Sequence, residues 1–207
     1  MIRVMIAEDQ AMVRGALAAL LALERDIEVV SEVGRGDEVV DAALVARPDV
    51  ALLDIEMPGL DGLSAAGALR ASLPECRVLM LTTFGRPGYL RLAMERGAAG
   101  FLLKDAPAAE LANAIRRAMA GLRTVDPALA VAALSEGTSP LTEREREVLV
   151  ASAELATVAD IARRLFLSEG TIRNHLSAAI QKVGAHNRAE AVRIAREQGW
   201  LEPGLER

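Results

Sequence analysis

The chain has 207 residues, room for one domain of moderate size or two small ones, and 52% of them are hydrophobic while only 2% are aromatic. Its interior must therefore be built from Ala, Leu, Val and Ile, which suits helices packed on a buried sheet. One cysteine, Cys76, excludes an internal disulfide and fits a reducing cytoplasm, the net charge of −5 argues by itself against nucleic acid, and no run of about 18 uncharged apolar residues exists to span a membrane.

Taken in order, the first 121 residues alternate five times between two patterns. Short apolar runs fall near 2–7, 27–33, 49–53, 77–82 and 99–103, and each is followed by a helix-length stretch near 11–23, 37–46, 62–72, 87–97 and 107–121. Strands alternating with segments of this length read as right-handed crossovers and a parallel sheet covered on both faces. Pro48, Pro58-Gly59, Pro74, Gly97 and Pro107 punctuate the boundaries. The expected fold is a doubly wound, flavodoxin-like α/β sheet of five strands in the order 2-1-3-4-5, with its switch point between strands one and three. Residues 122–140 read as a linker with a short helical piece. Residues 141–207 read as all-helical, with segments near 143–152, 157–165, 169–183 and 188–198.

The amino terminus opens directly into a strand, without a basic region leading to an apolar stretch, so no signal peptide is expected. Charge is uneven. Residues 1–123 carry 14 Lys+Arg against 17 Asp+Glu, whereas residues 140–207 carry 10 of each. The carboxyl third is thus the least acidic part, and 168–188 holds Arg173, Lys182 and Arg188 against Glu169 alone.

Polar groups collect at the ends of four of the five apolar runs: Glu8 and Asp9, Asp54, Thr82 and Lys104. Singly, each is an ordinary strand-end residue. Jointly, they meet at the carboxyl edge of one sheet, where open α/β sheets bind ligands. Three converging carboxylates repel unless a hard cation joins them, and Mg²⁺ favours a few carboxylates plus waters and phosphate oxygens. A lone ammonium and a hydroxyl beside them suit a phosphoryl group. Asp54 is the expected nucleophile. Asp9 is the expected direct metal ligand, Glu8 acts through water, and Asp54 and the backbone carbonyl of Glu56 complete the protein's share. Lys104 and Thr82 would contact phosphoryl oxygens.

These residues, with Met57-Pro58-Gly59, Asp61-Gly62 and the run Gly100-Phe101-Leu102-Leu103-Lys104-Asp105, resemble the receiver domain of bacterial two-component response regulators across the first 121 residues. The resemblance implies a sensor histidine kinase as phosphoryl donor and Phe101 as the aromatic that turns inward with the Thr82 switch hydroxyl. Asp105 stands where many receivers have proline, and Glu56 would sit near the phosphoryl group.

In the carboxyl third, TVADIARRL (157–165) and 169–183 form two amphipathic segments joined by Phe166-Leu167-Ser168. Ile172, Leu176, Ile180 and Val183 fall at core spacing, and Arg173, Asn174, Ser177 and Gln181 fall opposite. Ser168 is the expected N-cap. This fits a helix-turn-helix whose second helix enters the major groove, with Arg able to pair with guanine and Asn with adenine. LTEREREVL (141–149), IARRL with TIRNHL (161–176) and NRAEAVRIA (187–195) are similar to the LuxR-type output domain of NarL/FixJ regulators. By that resemblance Arg173, Asn174 and Ser177 approach bases, Thr171, His175 and Lys182 touch phosphates, and 188–198 is a dimer contact. The finer resemblance, on IAEDQ, DIEMPG, LTTFGRPGY, ELANAIR and GWL, is to DesR-type regulators of fatty-acid desaturase genes.

The expected function is a cytoplasmic, non-enzymatic transcriptional regulator. Phosphorylation on Asp54 promotes homodimerisation and binding to double-stranded DNA, with RNA polymerase a further partner and no membrane insertion. Two rivals remain open at this point: a phosphatase with an aspartyl nucleophile, and a receiver whose output helices bind protein.

Overall fold

The apolar runs become parallel strands because the central ones are buried from both sides and alternate their side chains between two helical layers. The computed structural model describes residues 1–83, 87–127, 129–131, 139–154 and 157–201. It divides into two compact units, Met1–Ala133 and Leu134–Gly204. In the first, β1 (Ile2–Ala7), α1 (Ala11–Leu21), β2 (Ile27–Val33), α2 (Val39–Ala46), β3 (Val50–Asp54), α3 (Gly62–Ser72), β4 (Arg77–Thr82), α4 (Pro87–Glu95), β5 (Gly100–Leu103) and α5 (Ala108–Met119) alternate as the sequence pattern requires. Phe84, within the LTTFGRPGY motif, lies outside the described residues, as do Gly85 and Arg86.

The sheet has six strands, in the order β2-β1-β3-β4-β5-β6, and this corrects the expected five. The extra strand, β6 (Thr124–Val125), pairs in parallel with β5, so the stretch read as a linker from residue 122 begins as sheet. Gly121, at φ +75°, turns the chain back after α5, and the Thr124 N–H donates to the Ala99 carbonyl at 3.1 Å. Two residues are too few to leave a periodicity in the sequence. Most of the remaining linker, including 132–138, lies outside the described residues.

Strand parity sorts the core. Met5, Ala7, Ala51, Leu53 and Phe101 pack with Val39 and Ala43 of α2, Leu63 and Leu69 of α3, and Leu90 of α4. Val4, Ile6, Leu52, Leu79 and Leu102 pack on the other face with Leu17 and Leu21 of α1 and Leu111 and Ile115 of α5. Every residue of β3 is buried, Asp54 included. A charged strand end inside such a sheet is costly unless partners meet it, which makes the ends of β1, β3 and β5 the part of the fold that calls for explanation.

The second unit holds α6 (Glu143–Glu154), α7 (Val158–Leu165), α8 (Glu169–Val183) and α9 (Arg188–Glu197). Thr157, Ser168 and Asn187 cap α7, α8 and α9, each side chain accepting from a backbone N–H three residues on. The core is Val148, Leu149, Ile161, Ile172, Leu176, Ala179, Val192 and their neighbours. Ala179 is fully buried where the sequence pattern gave weight to Ile180 and Val183, which are only partly covered. A small residue at the closest helix approach is invisible to a scan for large apolar side chains.

Candidate functional site

At the carboxyl edge of the sheet, β1 delivers Glu8 and Asp9, β3 ends on Asp54, β4 ends on Thr82 and β5 leads directly into Lys104. Carboxylate oxygens of Glu8, Asp9 and Asp54 lie within 4.8 Å of one another. Glu8 has no solvent exposure and Asp54 only 4%, whereas Asp9 is exposed. Lys104 Nζ lies 2.6 Å from Glu8 Oε2 and 3.0 Å from Asp54 Oδ1. The Glu8 Oε2 contact is charge against charge, for no well-directed hydrogen bond reaches that buried oxygen.

Two backbone amides hold the acids in place. The Ile55 N–H donates to Asp54 Oδ1 at 2.8 Å, and the Gln10 N–H donates to Glu8 Oε1 at 3.3 Å. The loop after β3 is drawn tight because the Gly62 N–H donates to the Ile55 carbonyl at 2.9 Å. A Cβ on Gly62 would stand 1.7 Å from the Asp54 carbonyl oxygen, so only glycine fits there. Asp61 caps α3 by accepting from the Ser64 N–H and hydroxyl.

Burial pushes the Asp54 carboxyl up to about 6, with the Glu8 charge adding to the rise and Lys104 opposing it. Asp54 is therefore mostly ionised at neutral pH yet poorly solvated, the condition of a reactive carboxylate. Burial alone would lower the Lys104 ammonium, but its close contacts with the Glu8 and Asp54 carboxylates outweigh that and hold it above the ordinary lysine value. The donor set is all oxygen, one member is open to solvent, and one buried oxygen is poorly satisfied. A small hard divalent cation that keeps several waters fits such a set.

Thr82 is 6% exposed, and its carbonyl accepts from the Lys104 N–H at 2.8 Å. Phe101 is fully buried in the core below. The described residues contain no cis peptide, so the bond from Lys104 to Asp105 is trans. Glu56 is exposed on the loop beside the cluster. Sequence reasoning missed Arg14, whose guanidinium donates to the Glu8 carbonyl at 2.5 Å from one turn into α1. No local pattern marks a side chain that acts on a backbone carbonyl six residues away.

In the second unit, Arg173, Asn174, Ser177 and Gln181 share the exposed face of α8, while Thr171 and His175 are half-buried beside it. Arg173 donates to Glu169 Oε2 at 2.6 Å, an exposed pair that is easily exchanged for another partner. Lys182, expected on phosphate, is paired within the unit: Nζ bonds both oxygens of Glu145, at 2.9 and 2.8 Å. Burial alone would raise the Glu145 carboxyl, but Lys182 and the Thr142 N–H hold it below the usual range. Thr142 and Glu145 form a reciprocal capping box ahead of α6, a signal already readable in LTERE. His186 is an exposed loop residue whose N–H donates to Glu190. Trp200 packs at the edge of the helical core. No described helix is long and apolar enough to cross a membrane.

Residues 4–116 match the family described as the response regulator receiver domain, and 139–195 match bacterial regulatory proteins of the luxR family. The chain is 46% identical over 202 residues to the transcriptional regulatory protein DesR of Bacillus subtilis, covering 98% of this chain and all of that one. It is also 46% identical over 201 residues to YvfU of the same organism, covering 97% of this chain and all of the relative. Among solved structures, the response regulator ChrA of a heme-sensing two-component system aligns with a TM-score of 0.57 at 36% identity, covering 95% of this chain and 97% of that one. An aspartyl phosphatase is not favoured, since such enzymes place the nucleophile after the first strand, whereas Asp54 ends the third.

Proposed function

Since this chain belongs to the two-component response regulators with a LuxR-type DNA-binding output domain, and so regulates transcription, we propose that Asp54 is its phosphoryl acceptor and the control point for DNA binding. The family acts with a sensor kinase and on DNA. The observation that carries the residue assignment is the three-acid cluster bridged by Lys104.

In this reading a phosphohistidine of the kinase presents its phosphorus to the Asp54 oxygen not engaged by Ile55. The new P–O bond forms as the P–N bond breaks, and the imidazole keeps the bonding electron pair. Lys104 then exchanges its contact with Asp54 for a phosphoryl oxygen, and the Thr82 hydroxyl donates to another. Asp9, Asp54 and the Glu56 carbonyl would hold Mg²⁺, with Glu8 acting through water, and the ion would supply charge neutralisation for the transferring group. A charge near −2 added at the end of β3 draws Thr82 inward, towards a core in which Phe101 is already fully buried.

Dimerisation is the proposed consequence. The outer face of α1 supports it: Ala11, Met12, Gly15, Ala16, Ala19 and Leu20 are all exposed, and the helix carries a single charged residue, the half-buried Arg14. A balanced output domain neutralises few phosphates alone, so two copies on half-sites about one DNA turn apart gain both affinity and salt dependence. Arg173, Asn174 and Ser177 are the proposed base readers, with Thr171 and His175 at the backbone. The DesR-type motifs and the identity to DesR support desaturase genes as targets. The chain works in the cytoplasm, turns over no small-molecule substrate, and meets RNA polymerase at its promoters.

The test is labelling of the purified chain with radioactive acetyl phosphate. Wild type takes up label only with Mg²⁺, and Asp54→Asn takes up none. Label retained by the variant would overturn the assignment.

A further inference from the structure

We infer that Lys182 is a positioning residue that fixes the reading helix α8 against the entry helix α6 through Glu145, and that it does not bind DNA phosphate. This rests on the DNA-binding reading above. Lys182 lies in the last turn of α8, one turn beyond the Arg173–Ser177 reading face, and its ammonium bonds both Glu145 oxygens at 2.9 and 2.8 Å. Glu145 is 5% exposed and is itself locked: one of those oxygens accepts the Thr142 N–H at 2.7 Å, while the Glu145 N–H donates to the Thr142 hydroxyl. The carboxylate is thus held by a backbone donor as well as by the ammonium.

The consequence is geometric. Ile172, Leu176 and Ala179 pack α8 through apolar contacts, which resist separation but tolerate rotation and sliding. A charge-assisted contact at the far end of the helix, made to a carboxylate that a backbone N–H already holds, resists that rotation. Base readout depends on placing Arg173 and Asn174 to within a fraction of an ångström, while phosphate attraction does not. Removing the tether should therefore harm sequence discrimination more than general affinity. A phosphate-binding lysine makes the opposite prediction, because its loss weakens all DNA equally and lowers the salt dependence.

The experiment uses the full chain after acetyl phosphate treatment. A duplex that the wild type selects from a random-sequence pool is compared with a scrambled duplex of equal length, over a salt series. Lys182→Met keeps the apolar stem, Lys182→Arg keeps the pair, and Glu145→Gln removes the acceptor's charge. Lys182→Met is expected to weaken the selected duplex about tenfold and the scrambled duplex less than about twofold, with the salt slope unchanged. Glu145→Gln should reproduce this, Lys182→Arg should bind like wild type, and Lys182→Met/Glu145→Gln should be no worse than Lys182→Met alone. If Lys182→Met unfolds with its carboxylate partner unpaired, the neutral double variant carries the same comparison. Equal weakening of both duplexes with the slope reduced by about one overturns the inference. So does undiminished discrimination in Lys182→Met or Glu145→Gln. A wild-type chain that selects no duplex removes the DNA-binding reading itself, a distinct result.

Discussion

Lys104 Nζ stands 3.0 Å from Asp54 Oδ1, and the same ammonium lies 2.6 Å from Glu8, so one cation is shared by two buried acids. The cluster as it stands has more negative charge than its single lysine can neutralise. That imbalance suits an added divalent cation and an incoming phosphoryl group, and it makes the site a local weakness of the fold.

Asp54 gives this weakness a pH signature. Its carboxyl is raised from 3.8 to about 6 in the folded chain, mainly by burial. An acid whose folded value lies above its unfolded value takes up protons on folding, so its contribution to stability falls as pH rises from about 4 to about 6 and is flat above. The loss is on the order of 3 kcal/mol at most. Without Mg²⁺, wild type should fall relative to Asp54→Asn across that window in urea titrations, and added Mg²⁺ should restore it at pH 7 by binding only the folded state. Parallel curves for the two proteins would refute the burial argument.

Lys104→Met should be more damaging than Asp54→Asn. It strands Glu8 and Asp54, both buried, without their cation, and breaking one side of such a pair costs about 3–5 kcal/mol. The defect should shrink as pH falls below about 6, where the Asp54 carboxyl takes up a proton and its charge no longer needs the ammonium. A variant equally unstable at pH 4.5 and pH 7.5 in thermal melts would show that the cost lies elsewhere.

Gly62→Ala tests the loop that carries the nucleophile. Its Cβ would meet the Asp54 carbonyl at 1.7 Å, and that atom is backbone that cannot swing aside. Destabilisation of about 2 kcal/mol or more is expected, along with slower acetyl phosphate labelling. Gly67→Ala, in the same helix with nothing within 4 Å, is the control and should be neutral or stabilising by a few tenths.

Arg173→Ala should leave phosphorylation untouched and weaken binding to the selected duplex by about 1–3 kcal/mol, relaxing preference at one base position. Glu169→Gln should act oppositely, because it releases Arg173 from its 2.6 Å pair. Binding curves on single-base variants of the duplex measure both. A uniform loss across all variants would assign Arg173 to phosphate.

Leu20→Glu places a charge on the apolar outer face of α1. It should keep labelling and abolish the mass shift seen in sedimentation after phosphorylation, with weaker operator binding as a result. Dimers of unchanged stability would move the self-association surface off α1.

Part of this molecule is written along the chain. The alternation of apolar runs with helical stretches determined the parallel sheet, since burial on both faces leaves continuous hydrophobic strands. Strand-end placement of Glu8, Asp9, Asp54, Thr82 and Lys104 followed from it, because parallel strands bring all their carboxyl ends to one edge. The amphipathic spacing of 169–183 likewise determined which face of α8 reaches solvent. Tertiary structure decided what depends on distance between remote atoms. It gave β6 its partner, brought Arg14 to the Glu8 carbonyl, and joined Lys182 to Glu145 across 37 positions of sequence. Periodicity reports which way a side chain points, and only the packed fold determines what it meets there.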